Sequence, residues 1–311
     1  MHHSTPTMIM TQTPMRITLG GGGTDVVWYS RQRGGAWISA AINAYVYVII
    51  HQGKPDISNP LIRACLSMAK VKEVEVVTFS DIEGKSGLGG SGAFEVGLLN
   101  ALSVYNGKRT SKRKLAKEAS DIEIKHLHYP VGPQDQYSTS LGGIHSFEIN
   151  KRGRVIVEPL ALSKKTVAIL ERNLLFFKTG IDHTSADILT SEKISKESID
   201  TLDQIKDLGQ HVKYALLQGN MDEFGKSLHT HWQIKKRLSK KVSTVKIDAW
   251  YDEAIKAGAL GGKIMGAGGG GWFMFYVNRN KKSFINRMKT LGLTERPMRF
   301  DWQGTRVIFK Q

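Results

Sequence analysis

The residue types best suited to chemistry gather in three glycine runs and around two polar loops. Leu19–Asp25 reads LGGGGTD, Gly87–Ala93 reads GLGGSGA and Gly266–Gly271 reads GAGGGG. Each run abuts a strand-like or helix-like segment, whereas a flexible linker would spread glycine without regard to neighbours. The second run opens FEVGLLNAL, an apolar segment of helical character. A helix N-terminus exposes unpaired N–H groups and the positive end of the helix dipole, so it attracts anions. Glycines ahead of it let an anion approach the backbone closely. Gly87, Leu88, Gly89, Gly90, Ser91, Gly92 and Ala93 are therefore a candidate phosphate cradle, with the Ser91 hydroxyl placed for a phosphate or a magnesium ion. The alternative is a glycine turn with Ser91 as a plain N-cap. The Gly-Lys-Ser/Thr of the common nucleotide P-loop is missing, which disfavours that fold.

Other polar residues carry less on their own. Glu123 in DIEIKHL suits a solvated helix carboxylate, and Asp135 in GPQDQY suits a turn residue capping its own loop. Arg16 in PMRITL reads as a strand-edge charge, and Asp25 as a turn residue after glycines. His126 and His128, and likewise His229 and His231, stand two apart, so on a helix each pair points to different sides. No cysteine supports them, and structural zinc is not expected.

These residues need elements to position them. RITLGGGGTD reads as a strand entering a tight turn, and GGAWISAAINAYVYVII as two strands. VEVVTFSD is a third strand, followed by a helix over about 91–105. SKRKLAKEASDIEIKHL is helical, with Leu115, Ala119, Ile122 and Leu127 at helical spacing. SFEIN and RVIVEPL form a hairpin, and NLLFFKTG is a buried strand. Helices are expected over about 185–217, 221–238 and 246–257. GWFMFYV is a buried strand, KKSFINRMKTLG a helix and TRVIFK a last strand. The order predicts an α+β protein of two lobes, divided as 1–163 and 164–311.

Bulk properties narrow the field. The 311 residues, 41% hydrophobic, suffice for one large domain or two ordinary ones. No apolar run approaches a membrane span, the N-terminus lacks signal-peptide character, and one cysteine excludes an internal disulfide framework. A soluble cytoplasmic protein without membrane partner is expected. The net charge of +16 fits a lysine-coated surface, an enzyme for phosphorylated small molecules, or a nucleic-acid binder. The lysines are scattered without interleaved aromatics, so nucleic acid is not the expected partner.

The order PMRITLGGGGTD, GLGGSGAF, GAGGGGWFMFYV resembles the GHMP kinase superfamily, named for galactokinase and the homoserine, mevalonate and phosphomevalonate kinases. With INAYVYV, GPQDQYSTSLGG and HWQIKKRLS, the likeness spans most of the chain and is greatest to the D-glycero-D-manno-heptose 7-phosphate kinases. It implies a ribosomal-protein-S5-type N-terminal lobe and a ferredoxin-like C-terminal lobe, with ATP and acceptor meeting between them. It implies triphosphate binding at Gly87–Ala93, with magnesium on Ser91 and Glu123. It implies Asp135 as general base and Arg16 near the transferred phosphate. Gly22, Gly23, Thr24 and Asp25 would face the acceptor, and the third run, with Gly268 and Gly269, would pack against the phosphate loop. The family commonly has serines where Gly90 and Gly92 stand, so two hydroxyls are missing here. The implied reaction moves the γ-phosphate of ATP to the anomeric hydroxyl of a sugar phosphate. Rival readings are another sugar, cyclitol or isoprenoid acceptor, or a sugar-binding pseudokinase; a homodimer stays open. Arg31 and Arg33 are candidates for the acceptor's own phosphate, against a plain exposed loop. Thr184 is a weaker candidate beside an N-cap role.

Overall fold

The computed structural model describes residues 7–182 and 194–311. Thr184 and the start of the helix expected near 185 lie outside the described residues.

Alternating and β-branched runs build the first sheet. β1 (Met8–Gly20) and β2 (Gly35–Gln52) form a long antiparallel pair at its centre. The first part of β2 pairs with β4 (Ile144–Ile149) and its last part with β3 (Val74–Ser80). β5 (Val155–Pro159) follows β4, and β10 (Arg306–Lys310) lies along the other edge of β1. The stretch expected as two strands is thus one strand of 18 residues. The ladder shifts between Pro14 and Met15, and Asn43 bonds through its backbone and its Oδ1 to the backbone of Arg299, at 2.8 and 2.7 Å.

A central helix, α3 (Gly90–Tyr105), packs on β1 and β2. It is apolar nearly all round because other helices cover its remaining sides: α2 (Pro60–Ala69), α4 (Lys112–Asp121) and α5 (Gln134–Leu141). Its Gly97 lets it approach β1 closely. Thr11 Oγ1 donates to Gly97 O at 3.0 Å, and a Cβ at Gly97 would come within 2.9 Å of Thr13 Oγ1. α4 runs into a π-helical turn, Ile122–His126, so the helix expected through Leu127 changes its winding before its end. Three helices here were not anticipated: α1 (Val27–Arg33), α2 and α5. For α2 the signal was legible, since Asn59 caps the N–H groups of Leu61 and Ile62 and Pro60 takes the first helical position.

The second half begins with α6 (Lys164–Asn173), also unanticipated, capped by Ser163, and β6 (Leu174–Lys178). Then come α7 (Lys196–Gln218), α8 (Met221–Lys235), α9 (Val245–Lys256), β7 (Gly261–Ile264), β8 (Trp272–Tyr276), α10 (Lys281–Thr290) and β9 (Thr294–Glu295). The second sheet has the order β7-β8-β6-β9. Phe177, Trp232, Tyr251, Phe273, Phe275 and Phe284 fill the core on one side of it. The other core is continuous between the halves: Val96 and Leu99 of α3 belong to the same cluster as Phe176, Val212, Met265 and Met274. The class is α+β, as expected. The last strand, which the sequence division assigns to the second part, returns to pair with β1 in the first sheet.

Candidate active site

The candidate phosphate loop is built by close approach. Gly89, in the left-handed region at φ 75°, is the N-cap of α3, and no side chain caps that end. The first N–H groups of a 16-residue helix therefore remain available to an anion. Ser91 lies inside the first turn rather than at the cap. A Cβ on Gly89 would meet Arg16 Cγ at 2.9 Å, and one on Gly92 would meet Asp135 Cβ at 2.8 Å. Glycine at 92 is thus what lets α3 and α5 touch. Leu88 points the other way, fully buried in the core, and its carbonyl accepts from Arg16 N at 2.9 Å.

Arg16 and Asp135 come together although 119 residues separate them. Arg16, 3% exposed on β1, donates through Nε to Asp135 Oδ1 at 2.8 Å, with Nη2 at 2.6 Å from the same oxygen. Its Nη1 donates to Gly87 O at 2.6 Å. One guanidinium thereby ties the phosphate loop to α5. Asp135 keeps partial exposure, and its Oδ2 is the oxygen turned away from Arg16's bonds.

Behind this pair lies a buried acidic cluster. Ser91 Oγ donates to Glu123 Oε1 at 3.1 Å, and Gln136 Nε2 donates to Glu123 Oε2 at 2.6 Å and to Glu95 Oε2 at 3.2 Å. Glu123 is not the solvated carboxylate its sequence suggests. It is 7% exposed, and burial, followed by the charge of Asp135, raises its pKa to about 7. Burial and the nearby Glu123 raise Glu95 well above the carboxylate range. A hydroxyl and a carboxylate side by side, uncomfortable when ionised without a counter-cation, suit a hard divalent ion. Among the described residues no group of three or more His, Cys, Asp or Glu forms a metal cage. Magnesium bound mainly through nucleotide phosphates and water requires none.

The other glycine runs differ in what they touch. Asp25, 5% exposed, accepts from Gln134 N at 3.0 Å through Oδ2 and so holds the start of α5; burial lifts its pKa to about 6. Thr24 Oγ1 is bonded to the carbonyl of Gly21 in the loop and to that of Ala36 on β2. A Cβ on Gly22 would come within 3.4 Å of Gln134 Oε1, and one on Gly23 within 3.9 Å of Leu202. In the third run only part meets the phosphate loop: Gly266 abuts Gly87, whereas Gly268 and Gly269 pack against the backbone of Val242. Arg33 pairs with Asp203 at 3.5 Å, and Arg31 lines a separate cavity.

Sequence reasoning passed over Glu95, Gln136 and Lys263. Glu95 could have been flagged as the carboxylate inside an apolar run. Lys263, 3% exposed, stands two residues before Met265, whose carbonyl abuts Gly87, so strand alternation puts both side chains on one face. Burial, then the charges of Lys235 and Arg16, hold its pKa well below the lysine range.

In front of the loop opens a cavity of about 490 Å³, bounded by Arg16, Asp135 and Ser91 on one side and by Leu61, Ile62 and Phe79 on the other. A polar end with oriented donors and an apolar end fit a nucleotide. The chain matches the GHMP kinases N terminal domain over residues 59–143 and the GHMP kinases C terminal domain over 212–288, together more than half of its length. The chain belongs to the GHMP kinase family. This GHMP kinase is an ATP-dependent phosphotransferase. It is 29% identical to D-glycero-alpha-D-manno-heptose 7-phosphate kinase of Campylobacter jejuni, over 91% of this chain and 93% of that protein. A galactokinase of Pyrococcus furiosus is 25% identical, over 72% of this chain and 69% of its own. A crystal structure of a D-glycero-D-manno-heptose 1-phosphate kinase from Bacteroides thetaiotaomicron superposes with a TM-score of 0.79 at 26% identity, covering 97% of this chain and 99% of that one. Among the described residues no helix of the GHMP kinase is long and apolar enough to cross a membrane.

Proposed function

We propose that this GHMP kinase transfers the γ-phosphate of ATP to the anomeric hydroxyl of a sugar phosphate, and that the sugar is D-glycero-D-manno-heptose 7-phosphate. The relationship to the C. jejuni heptose 7-phosphate kinase over nearly the whole of both chains supports the acceptor. The observation that carries the chemistry is Arg16, bonded at once to Gly87 O and Asp135 Oδ1. It places a cation and a carboxylate at the mouth of an uncapped helix N-terminus.

In this reading the N–H groups of residues 89–92 hold the triphosphate, with Gly87–Ala93 as the cradle. Ser91 and Glu123 would hold magnesium, which neutralises charge on the phosphate oxygens when bound. Gln136 orients the Glu123 carboxylate. Arg16 stabilises the charge that develops on the transferred phosphoryl group, and Asp135 Oδ2 takes the proton of the acceptor hydroxyl. Gly22, Gly23, Thr24 and Asp25 wall the acceptor side, with Asp25 acting through the start of α5. Gly268 and Gly269, which pack on Val242, would complete the acceptor side. The division of the chain at 163/164, just where α6 begins, is kept as the boundary between the two parts, and among the described residues the cleft is lined by the first part alone.

The named acceptors of the two heptose relatives differ, so the test must separate them. Purified protein is given ATP with D-glycero-D-manno-heptose 7-phosphate, the 1-phosphate, the free heptose, galactose and mevalonate. The expected outcome is a 1,7-bisphosphate from the 7-phosphate, its new ester assigned by phosphorus NMR. The free heptose should be used far less efficiently, since each lost charge-assisted bond costs roughly 1.5–3 kcal/mol. Equal efficiency on both would sink the phosphorylated acceptor and favour a kinase of free sugars.

A further inference from the structure

A second cavity, of about 380 Å³, lies among α1, α4, the π-helical turn, the start of α5 and the β4–β5 hairpin. Its charge is unlike that of the nucleotide cleft. The cleft is lined by Arg16 and Lys85 against Glu83 and Asp135, so its side chains balance. The second cavity has Arg31, Lys117, Lys125, Arg152 and Arg154 against a single carboxylate, Asp121. Asp121 is already engaged, by Lys117 at 2.5 Å and Lys125 at 2.9 Å. The guanidinium groups of Arg31, Arg152 and Arg154 have no hydrogen-bond or ion-pair partner among the described residues.

Three unpaired guanidinium groups converging on one concavity repel one another, and a bound dianion relieves that repulsion. Their planar forks match phosphate oxygens bidentately. The floor is different: Val27, Ile124, Tyr137 and Ile149 offer carbon surface. A cationic rim over an apolar floor fits a phosphate carried on a small carbon skeleton better than a bare ion. The acceptor's site at Asp135 is not the same place. The Asp25–Gln134 bond stands between, and Gly132 packs directly on the Asp25 backbone.

The cavity nevertheless shares its walls with the catalytic cluster. Ile124 and Lys125 line it, while Glu123, the preceding residue of the same π-helical turn, faces Ser91 and Gln136. Pro133 and Tyr137 line it, while Asp135 and Gln136, between them in the chain, reach Arg16 and Glu123. π-helical turns within helices recur at functional sites because the extra residue re-aims side chains. We propose that this cavity is a second binding site, for the phosphate ester of a small organic molecule, and that its occupancy tunes the kinase through the π-helical turn and the first turn of α5.

The test uses ribose 5-phosphate, glucose 6-phosphate, fructose 1,6-bisphosphate and inorganic phosphate as probes, at constant ionic strength. Calorimetry is run on the full chain with the nucleotide cleft filled by a non-hydrolysable ATP analogue, and phosphoryl transfer is assayed in parallel. At least one ester should bind more tightly than inorganic phosphate and change the rate. The Arg152→Ala/Arg154→Ala variant, altered only on the exposed hairpin, should bind that ester roughly tenfold or more weakly and lose the rate response. Its rate without ester should be unchanged, and its thermal midpoint reports that it is folded. Binding by no ester, or equal binding by wild type and variant, overturns the proposal. So does a raised KM for the acceptor in the variant, which would make the cavity part of the acceptor site. A chain with no transferase activity on any acceptor but with intact ester binding would refute the proposed function and leave this site standing.

Discussion

Arg16 occupies one oxygen of Asp135, which leaves the other for the proposed role as proton acceptor. Asp135→Asn preserves an oxygen acceptor for Arg16 and removes the base. Turnover should fall by roughly a hundred- to ten-thousand-fold, with ATP affinity little changed; steady-state kinetics decides it, and an unchanged kcat would remove Asp135 from the chemistry. Ser91 and Glu123 are bonded directly. If they hold one ion, Ser91→Ala and Glu123→Gln should weaken magnesium–ATP binding non-additively in a double-mutant cycle, whereas additive losses would separate them. Asp25 tests the structural side of the same neighbourhood. Its pKa is raised from 3.8 to about 6, chiefly by burial. A carboxyl shifted upward stabilises the fold while protonated, fully below about pH 4, and that contribution is lost as pH rises through about 6. The stability of wild type relative to Asp25→Asn should therefore drop by roughly 2 kcal/mol between pH 4 and pH 7, measured by urea unfolding.

Among the elements, α3 carries both the phosphate loop and the contact with β1. At Gly97 two effects oppose each other. Alanine gains about 1 kcal/mol of helix propensity. Its Cβ would sit 2.9 Å from Thr13 Oγ1, which Thr305 Oγ1 holds at 2.8 Å, so the neighbour has little room to yield. Overpacking of that kind costs typically 1–3 kcal/mol. Gly97→Ala should therefore lower the thermal midpoint despite the better propensity, and a raised midpoint would show that α3 can shift. Several of these elements could be anticipated. The glycine run predicted the start of α3 to within a residue, because the absence of side chains there is itself the signal. Asn59–Pro60 carried a legible capping signal for α2, although that helix was not anticipated. α5 gave little warning: its eight residues are anchored by Asp25, which is remote in sequence.

At the scale of the whole molecule, β10 closes an edge of the strand that carries Arg16. Removing residues 306–311 would leave the first part of β1, Ile9–Gln12, as an unpaired edge, the kind that templates association between chains. The truncated protein should show faster aggregation by light scattering at equal concentration. Aggregation no faster than wild type would mean that β1 is protected by its own twist and bulge. The shared core explains why such an effect would not stay local: Met265 beside the third glycine run and Leu88 of the phosphate loop belong to one buried cluster. Lobe geometry and loop geometry are packed as a unit.

The sequence by itself determined the family, the α+β class and the segments that form the candidate site. Glycine spacing, strand alternation and helical periodicity are local properties, and the three runs occur in a recognisable order. Tertiary structure decided which of these residues meet. Arg16 reaches Asp135, Ser91 reaches Glu123, and Asp25 turns to Gln134 instead of standing open in a turn. It also decided charge states. Glu123 reads as a solvated helix carboxylate because its own neighbours in the chain are mixed, yet α3 and α5 bury it against another acid. Burial and electrostatic coupling depend on groups far apart in the chain, and periodicity within a segment carries no information about them.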